Sequence, residues 1–67
     1  KGAVKVEALD VTGRRVRMLQ DGPMSAGPHD LVWDLRDDQG QAVRPGIFFV
    51  RVEAGGTTFK RRVVVIH

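Results

Sequence analysis

Trp33-Asp34-Leu35-Arg36-Asp37-Asp38-Gln39-Gly40-Gln41-Ala42-Val43-Arg44-Pro45-Gly46-Ile47-Phe48-Phe49-Val50-Arg51-Val52 is the stretch whose reading decides the fold. It reads as the end of one strand, a tight polar turn, a Pro-Gly step and a second strand. Asp37 and Gly40 bracket the turn, where an Asp at the first position bonds the backbone ahead of it and a Gly at the fourth takes a positive φ. Pro45-Gly46 opens a strand expected over 47–54, with Phe48, Val50 and Val52 on one face and Arg51 and Glu53 on the other. Ahead of the turn, a strand over 29–34 would put Leu31 and Trp33 together. The stretch pairs no nucleophile with a base and groups no metal ligands. Its signal is architectural, which points to a module that attaches, sorts or scaffolds.

The flanking sequence has the same period of two. Val4, Val6 and Ala8 alternate with Lys5 and Glu7, predicting a strand over 3–9. Asp10-Val11-Thr12-Gly13 repeats the turn pattern of 37–40. A strand over 14–20 follows, with Val16 and Leu19 inward, and their spacing of three predicts a bulge. Residues 21–28 hold two Gly and two Pro and read as a loop crossing between sheets. Gly55-Gly56 is a two-residue hairpin signal leading into a last strand over 57–66. Val63, Val64, Val65 and Ile66 do not alternate, as expected of a strand covered on both faces, whether by this chain or by another part of a parent protein. Five short strands with turns about every ten residues predict an all-β sandwich or small barrel, one domain over 1–67. The expected core is Val4, Val6, Val16, Leu19, Leu31, Trp33, Phe48, Val50 and Val52.

Composition narrows the function classes. A chain of 67 residues buries about 60% of its unfolded surface, too little for a deep water-excluding active site. There is no cysteine, hence no disulfide framework and no thiolate chemistry. No apolar run approaches the ~18 residues of a membrane span, and no leader pattern opens the sequence, so an export signal is expected upstream. The net charge is +3, but Lys5, Arg14, Arg15 and Arg17 fall among strand residues and read as solvent-facing. The aromatic residues are not interleaved with the basic ones as a base-stacking surface requires, so nucleic acid is not an expected partner.

Each candidate site has a plainer structural reading. Trp33 fits a sugar platform, but a lone Trp in a small domain serves burial. Asp34, Asp37, Asp38 and the Gln39 carbonyl are calcium-type oxygens, yet they lack the alternating acidic order and the distant bidentate Glu, and turn chemistry accounts for them. Neither a metal nor a cofactor is therefore expected. Ser25, His29 and His67 suggest no triad geometry, and no catalytic residue is assigned. Ile47 and Phe49 form either an apolar patch for a partner or a face covered by the 35–44 loop. Lys60-Arg61-Arg62 is either a solvated edge or a recognition stripe.

The ordered set of these residues resembles a known family. It comprises Val4, Val6, Ala8 to Gly13, Val16 and Leu19, then Ala26-Gly27, His29, Trp33-Asp34, Asp37, Gly40, Val43, Gly46-Ile47-Phe48 and a closing Lys60-Arg61-Arg62-Val63-Val64-Val65. This pattern looks like the immunoglobulin-like domain shared by flagellar hook-capping proteins and the C-terminal sorting domains of type IX secretion cargo. The resemblance implies an immunoglobulin-like antiparallel β-sandwich of short strands. Family members carry one more strand before the position of Val4, so the sandwich is expected to lack its first strand. They also tend to have Tyr at the position of Phe48 and Gly at that of Leu35.

The resemblance implies two roles. A sorting domain is recognised by secretion machinery at the outer membrane of a bacterium, and the positions that carry over are Pro45, Gly46, Ile47, Phe48, Gly56 and Lys60, with Arg61, Arg62, Val63, Val64, Val65 and Ile66 of the last strand. A hook-cap domain is a non-catalytic scaffold that assists subunit assembly. The expectation is a surface or secreted sorting module, with the hook-cap scaffold as alternative and an accessory carbohydrate-binding module as a third class requiring an exposed Trp33. Protein partners are expected, namely secretion machinery or domains of a parent protein. An open strand edge would also allow self-association.

Overall fold

The structure, a computed structural model, describes residues 2–24 and 30–66. It is all-β: β1 (Gly2–Leu9), β2 (Arg15–Met24), β3 (Gly46–Ala54) and β4 (Thr57–Val65) form one antiparallel sheet in the order β2-β1-β3-β4. β1 and β3 are central, and β2 and β4 are the two edges. The immunoglobulin-like, antiparallel reading of the sequence holds, and strands 3–9, 47–54 and 57–66 lie within a residue of their expected bounds.

Two expectations change. β2 runs on through Gly22 and Pro23 to Met24, into the stretch read as a loop. An edge strand tolerates Pro because only one side of its backbone is paired. Register shifts at Val6/Glu7 and Ala8/Leu9 bulge β2 twice, around the Val16 and Leu19 positions where the spacing predicted a bulge. The strand expected over 29–34 is not formed by residues 30–34, and Leu31 and Val32 are exposed, so Leu31 does not belong to the core. Ser25, Ala26, Gly27 and His29 lie outside the described residues, as does His67.

The segment 30–45 instead arches over one sheet face and supplies the second layer. Val43, Phe48 and Val65 are buried together, with Val16, Trp33, Leu35 and Val63 packed against them. The Trp33 ring meets Phe48 edge-on at 5.5 Å, and its Nε1–H donates to the Arg36 carbonyl at 2.9 Å. A single bridge, Arg36↔Ala42, closes the arch. The Leu35 carbonyl accepts from the Val43 amide at 2.9 Å. Leu35 itself sits at φ +61°, the region where glycine is at ease, and this accounts for the Gly that the family tends to place there.

Carboxylates hold the arch and the β1–β2 turn. Asp37 Oδ1 accepts from the Gln39 and Gln41 amides, both at 2.9 Å. Asp10 Oδ1 accepts from the Thr12 amide and hydroxyl and from the Arg14 amide. Gly13 and Gly40 close these twin turns, each at φ +86°. Arg15 and Arg17, expected to face solvent, tie β2 to the arch: Arg15 pairs with Asp38 at 3.1 Å and Arg17 with Asp34 at 3.3 Å.

Val4, Val16, Leu19, Val50 and Val52 are half-buried, while Val6 and Phe48 are buried. Ala8, which alternation set on the face of Val4 and Val6, joins the core, and so do Leu9 and Val43, which alternation did not single out. The accessible surface is 5103 Å², whereas a compact chain of this mass exposes about 4,200 Å². A sheet covered by an arch over only part of one face accounts for the excess.

Candidate interaction surface

Strand alternation sorts the expected recognition residues into two groups. Across β1, β3 and β4 the register places Val4, Val6, Ala8, Phe48, Val50, Val52, Phe59, Arg61, Val63 and Val65 on the arch side. Lys5, Glu7, Leu9, Ile47, Phe49, Arg51, Glu53, Thr58, Lys60, Arg62 and Val64 share the other side. The 35–44 segment therefore covers the face of Phe48 and not that of Ile47 and Phe49, because Leu35 and Val43 pack with Phe48.

Of the recognition positions, Phe48 and Val65 are buried and serve the core, and Val63 and Gly46 are half-buried. Pro45, Ile47, Val64 and Ile66 are exposed at one end of the sheet, where Ile47 and Val64 are cross-strand partners. The run 63–66 is thus not covered on both faces: Val65 is 3% exposed and Val64 59%. Gly56 stands at the far end, in the β3–β4 hairpin, where Gly55 and Gly56 have φ of +56° and +79°. Two consecutive positive φ values define the turn whose twist suits a two-residue hairpin.

Lys60, Arg61 and Arg62 are exposed along β4. The ion pairs among the described residues are Arg15–Asp38, Arg17–Asp34 and Arg51–Glu7, so these three cations have no carboxylate partner there. Glu7 is buried at 6% exposure in the middle of the far face, where Arg51 of the adjacent strand donates to it. The Glu7 carboxylate holds the Arg51 guanidinium pKa above its ordinary value. Neither residue of this pair was singled out in the sequence. The signal was their opposite charge at strand positions that alternation alone assigns to solvent.

The remaining candidates resolve into structure. The carboxylates of Asp34, Asp37 and Asp38 are each engaged: Asp34 by Arg36 N–H and Arg17, Asp37 by its own turn, and Asp38 by Met18 N–H and Arg15. No cluster of three potential metal ligands occurs among the described residues. Trp33 is half-buried and committed to Phe48 and Arg36, so it does not stand open as the sugar platform would require. A shallow open groove of about 350 Å³ beside the hairpin is lined by Val4, Lys5, Asp21, Glu53, Thr57 and Thr58. No described helix is long and apolar enough to cross a membrane. What the surface offers is an open strand edge at β4, a basic stripe and scattered apolar side chains, the means for binding protein, whereas the arch occupies part of the β2 edge through Asp38, which bonds Val16 C=O and Met18 N–H.

Comparison with known proteins agrees with this geometry. Neither the curated proteins nor the solved structures returned a match. The model of the FlgD Ig-like domain matches residues 1–58, the hook-capping branch of the resemblance, and nothing found supports the sorting branch. With most of its length matched, the chain belongs to the FlgD Ig-like domain family.

Proposed function

We propose that this chain is a non-catalytic assembly module of the hook-capping kind, an immunoglobulin-like domain that binds protein surfaces while an exported bacterial structure is built. The family match over residues 1–58 carries this reading. The sheet supports it with an open edge at β4 and exposed apolar side chains at Ile47, Phe59 and Val64. The reading replaces type IX sorting, the first expectation from the sequence, as the favoured role.

The test is an in-frame deletion of the codons for Lys1 to His67 from the gene that encodes them, in its own bacterium. Loss of assembled hooks, with hook subunits shed unassembled into the medium and the truncated parent still exported, is the expected outcome. Normal hooks together with a parent protein trapped in the periplasm would overturn the proposal in favour of sorting.

A further inference from the structure

The two edges of the sheet are not alike. β2 is bulged twice and contains Gly22 and Pro23, so it makes a poor template for another strand. β4 pairs with β3 over nine residues without a register shift. The closing pair of a two-residue hairpin, here Ala54↔Thr57, is hydrogen-bonded, and bonded and non-bonded pairs then alternate. Thr57, Phe59, Arg61, Val63 and Val65 therefore turn their backbone groups toward β3. Thr58, Lys60, Arg62 and Val64 turn theirs outward, so that four N–H and four C=O groups line an edge with no strand beside it among the described residues.

The side chains on that edge state which strand it would accept. Lys60 stands directly across from Arg51, a like-charge pair, and Arg51 is already engaged with Glu7 on its other side. Lys60 and Arg62 share the far face, and Arg61 lies on the arch face between exposed Phe59 and half-buried Val63. Like charge disfavours a second copy. In the antiparallel register of longest overlap Arg61 meets Arg61 and Lys60 meets Arg62. From this edge we infer that β4 accepts an extended acidic segment of a separate partner protein, added as a fifth antiparallel strand, with its carboxylates beside Lys60 and Arg62 and apolar residues beside Phe59 and Val63. Main-chain bonds supply affinity in such strand addition, and the alternating side chains supply specificity. The inference is independent of the hook-cap proposal, since it rests on β4 alone, most of which lies beyond the family match.

The experiment titrates the 67-residue chain with a capped eight-residue peptide of alternating valine and glutamate, followed by amide NMR. Saturable binding with new exchange protection at the Thr58, Lys60, Arg62 and Val64 amides is expected, and the Lys60→Glu/Arg62→Glu variant should weaken it about tenfold or more. That variant alters exposed side chains only, and its Trp33 near-ultraviolet signal checks that it folds. Equal binding by a valine/lysine peptide or by a single-stranded octanucleotide would overturn the inference. So would protection elsewhere in the sheet, an unchanged affinity of the variant, or no binding at all. Dimerisation of the unmodified chain through β4, read by light scattering and the same amides, would replace the partner strand with a second copy.

Discussion

Leu35 offers a test in which the ordinary order of two substitutions is reversed. Its φ of +61° is left-handed, and it is the only described residue other than glycine with a positive φ. An L-residue there bears about 1–2 kcal/mol of strain. Its side chain is half-buried against Val43, Phe48 and Val65. Full burial of a leucine is worth about 1.5–3 kcal/mol, so half-burial contributes about 1–1.5 kcal/mol. Leu35→Ala removes that packing and keeps the strain, so it should destabilise by about 1–1.5 kcal/mol. Leu35→Gly also loses the packing but releases the strain, against about 0.4–1 kcal/mol of added freedom in the unfolded chain. Glycine should therefore exceed alanine by about 0.5–1 kcal/mol and fall close to the parent. Urea unfolding followed by Trp33 fluorescence, with equal m-values required across the series, measures the difference. In melting temperature it amounts to about 2–8 °C for a domain of this size. Leu19, which has no positive φ, is the control, and there alanine should be the more stable. Alanine equal to or better than glycine at position 35 would show that the arch does not hold this residue left-handed.

Trp33→Phe should keep the contact with Phe48 but lose the bond to the Arg36 carbonyl, at a cost of about 1 kcal/mol, while Trp33→Ala should cost about 3 kcal/mol; both are read by denaturant midpoint. The Asp10 carboxylate titrates below the usual 3.8, chiefly because the Thr12 hydroxyl bonds it, with help from the Arg14 and Thr12 amides. Because its folded pKa is depressed, the stability it confers is present above the unfolded pKa and is lost as pH falls through the lowered value; carbon-detected NMR titration should show this, and Thr12→Val should bring Asp10 back up. Millimolar calcium should leave the melting temperature unchanged, because Asp34, Asp37 and Asp38 already hold internal donors; a rise abolished by Asp37→Asn would mark a cation site in the arch.

Local chemistry was readable wherever the cause is local. The alternation of Val4, Val6 and Ala8, the glycine pair at 55–56 and the twin Asp-x-x-Gly turns appear in the structure where they were expected. Each depends on residues within a few positions of one another. A bulge in β2 was legible from the Val16–Leu19 spacing for the same reason, and the structure adds a second. The resemblance named the family but placed sorting ahead of hook capping, because the shared residues are those that build the sandwich and do not separate the two roles.

Tertiary structure decided what depends on distant partners. Leu31 and Trp33 carry the same period-two signal as a strand, but the segment leaves the sheet and packs Trp33, Leu35 and Val43 onto Phe48 and Val65, contacts that its own alternation does not encode. Arg15 and Arg17 acquire Asp38 and Asp34, some twenty residues away, only once that arch is in place. Pro23 is admitted to a strand because β2 lies at an edge, a property of sheet order and not of the residue. Sheet order likewise puts Glu7 beside Arg51 in the buried middle and leaves β4 with an unpaired backbone and three exposed cations. Periodicity determines which side chains share a face, because the pleat has a period of two. Which face is covered, and which edge stays open, follows from contacts between segments that the alternation of either one cannot encode.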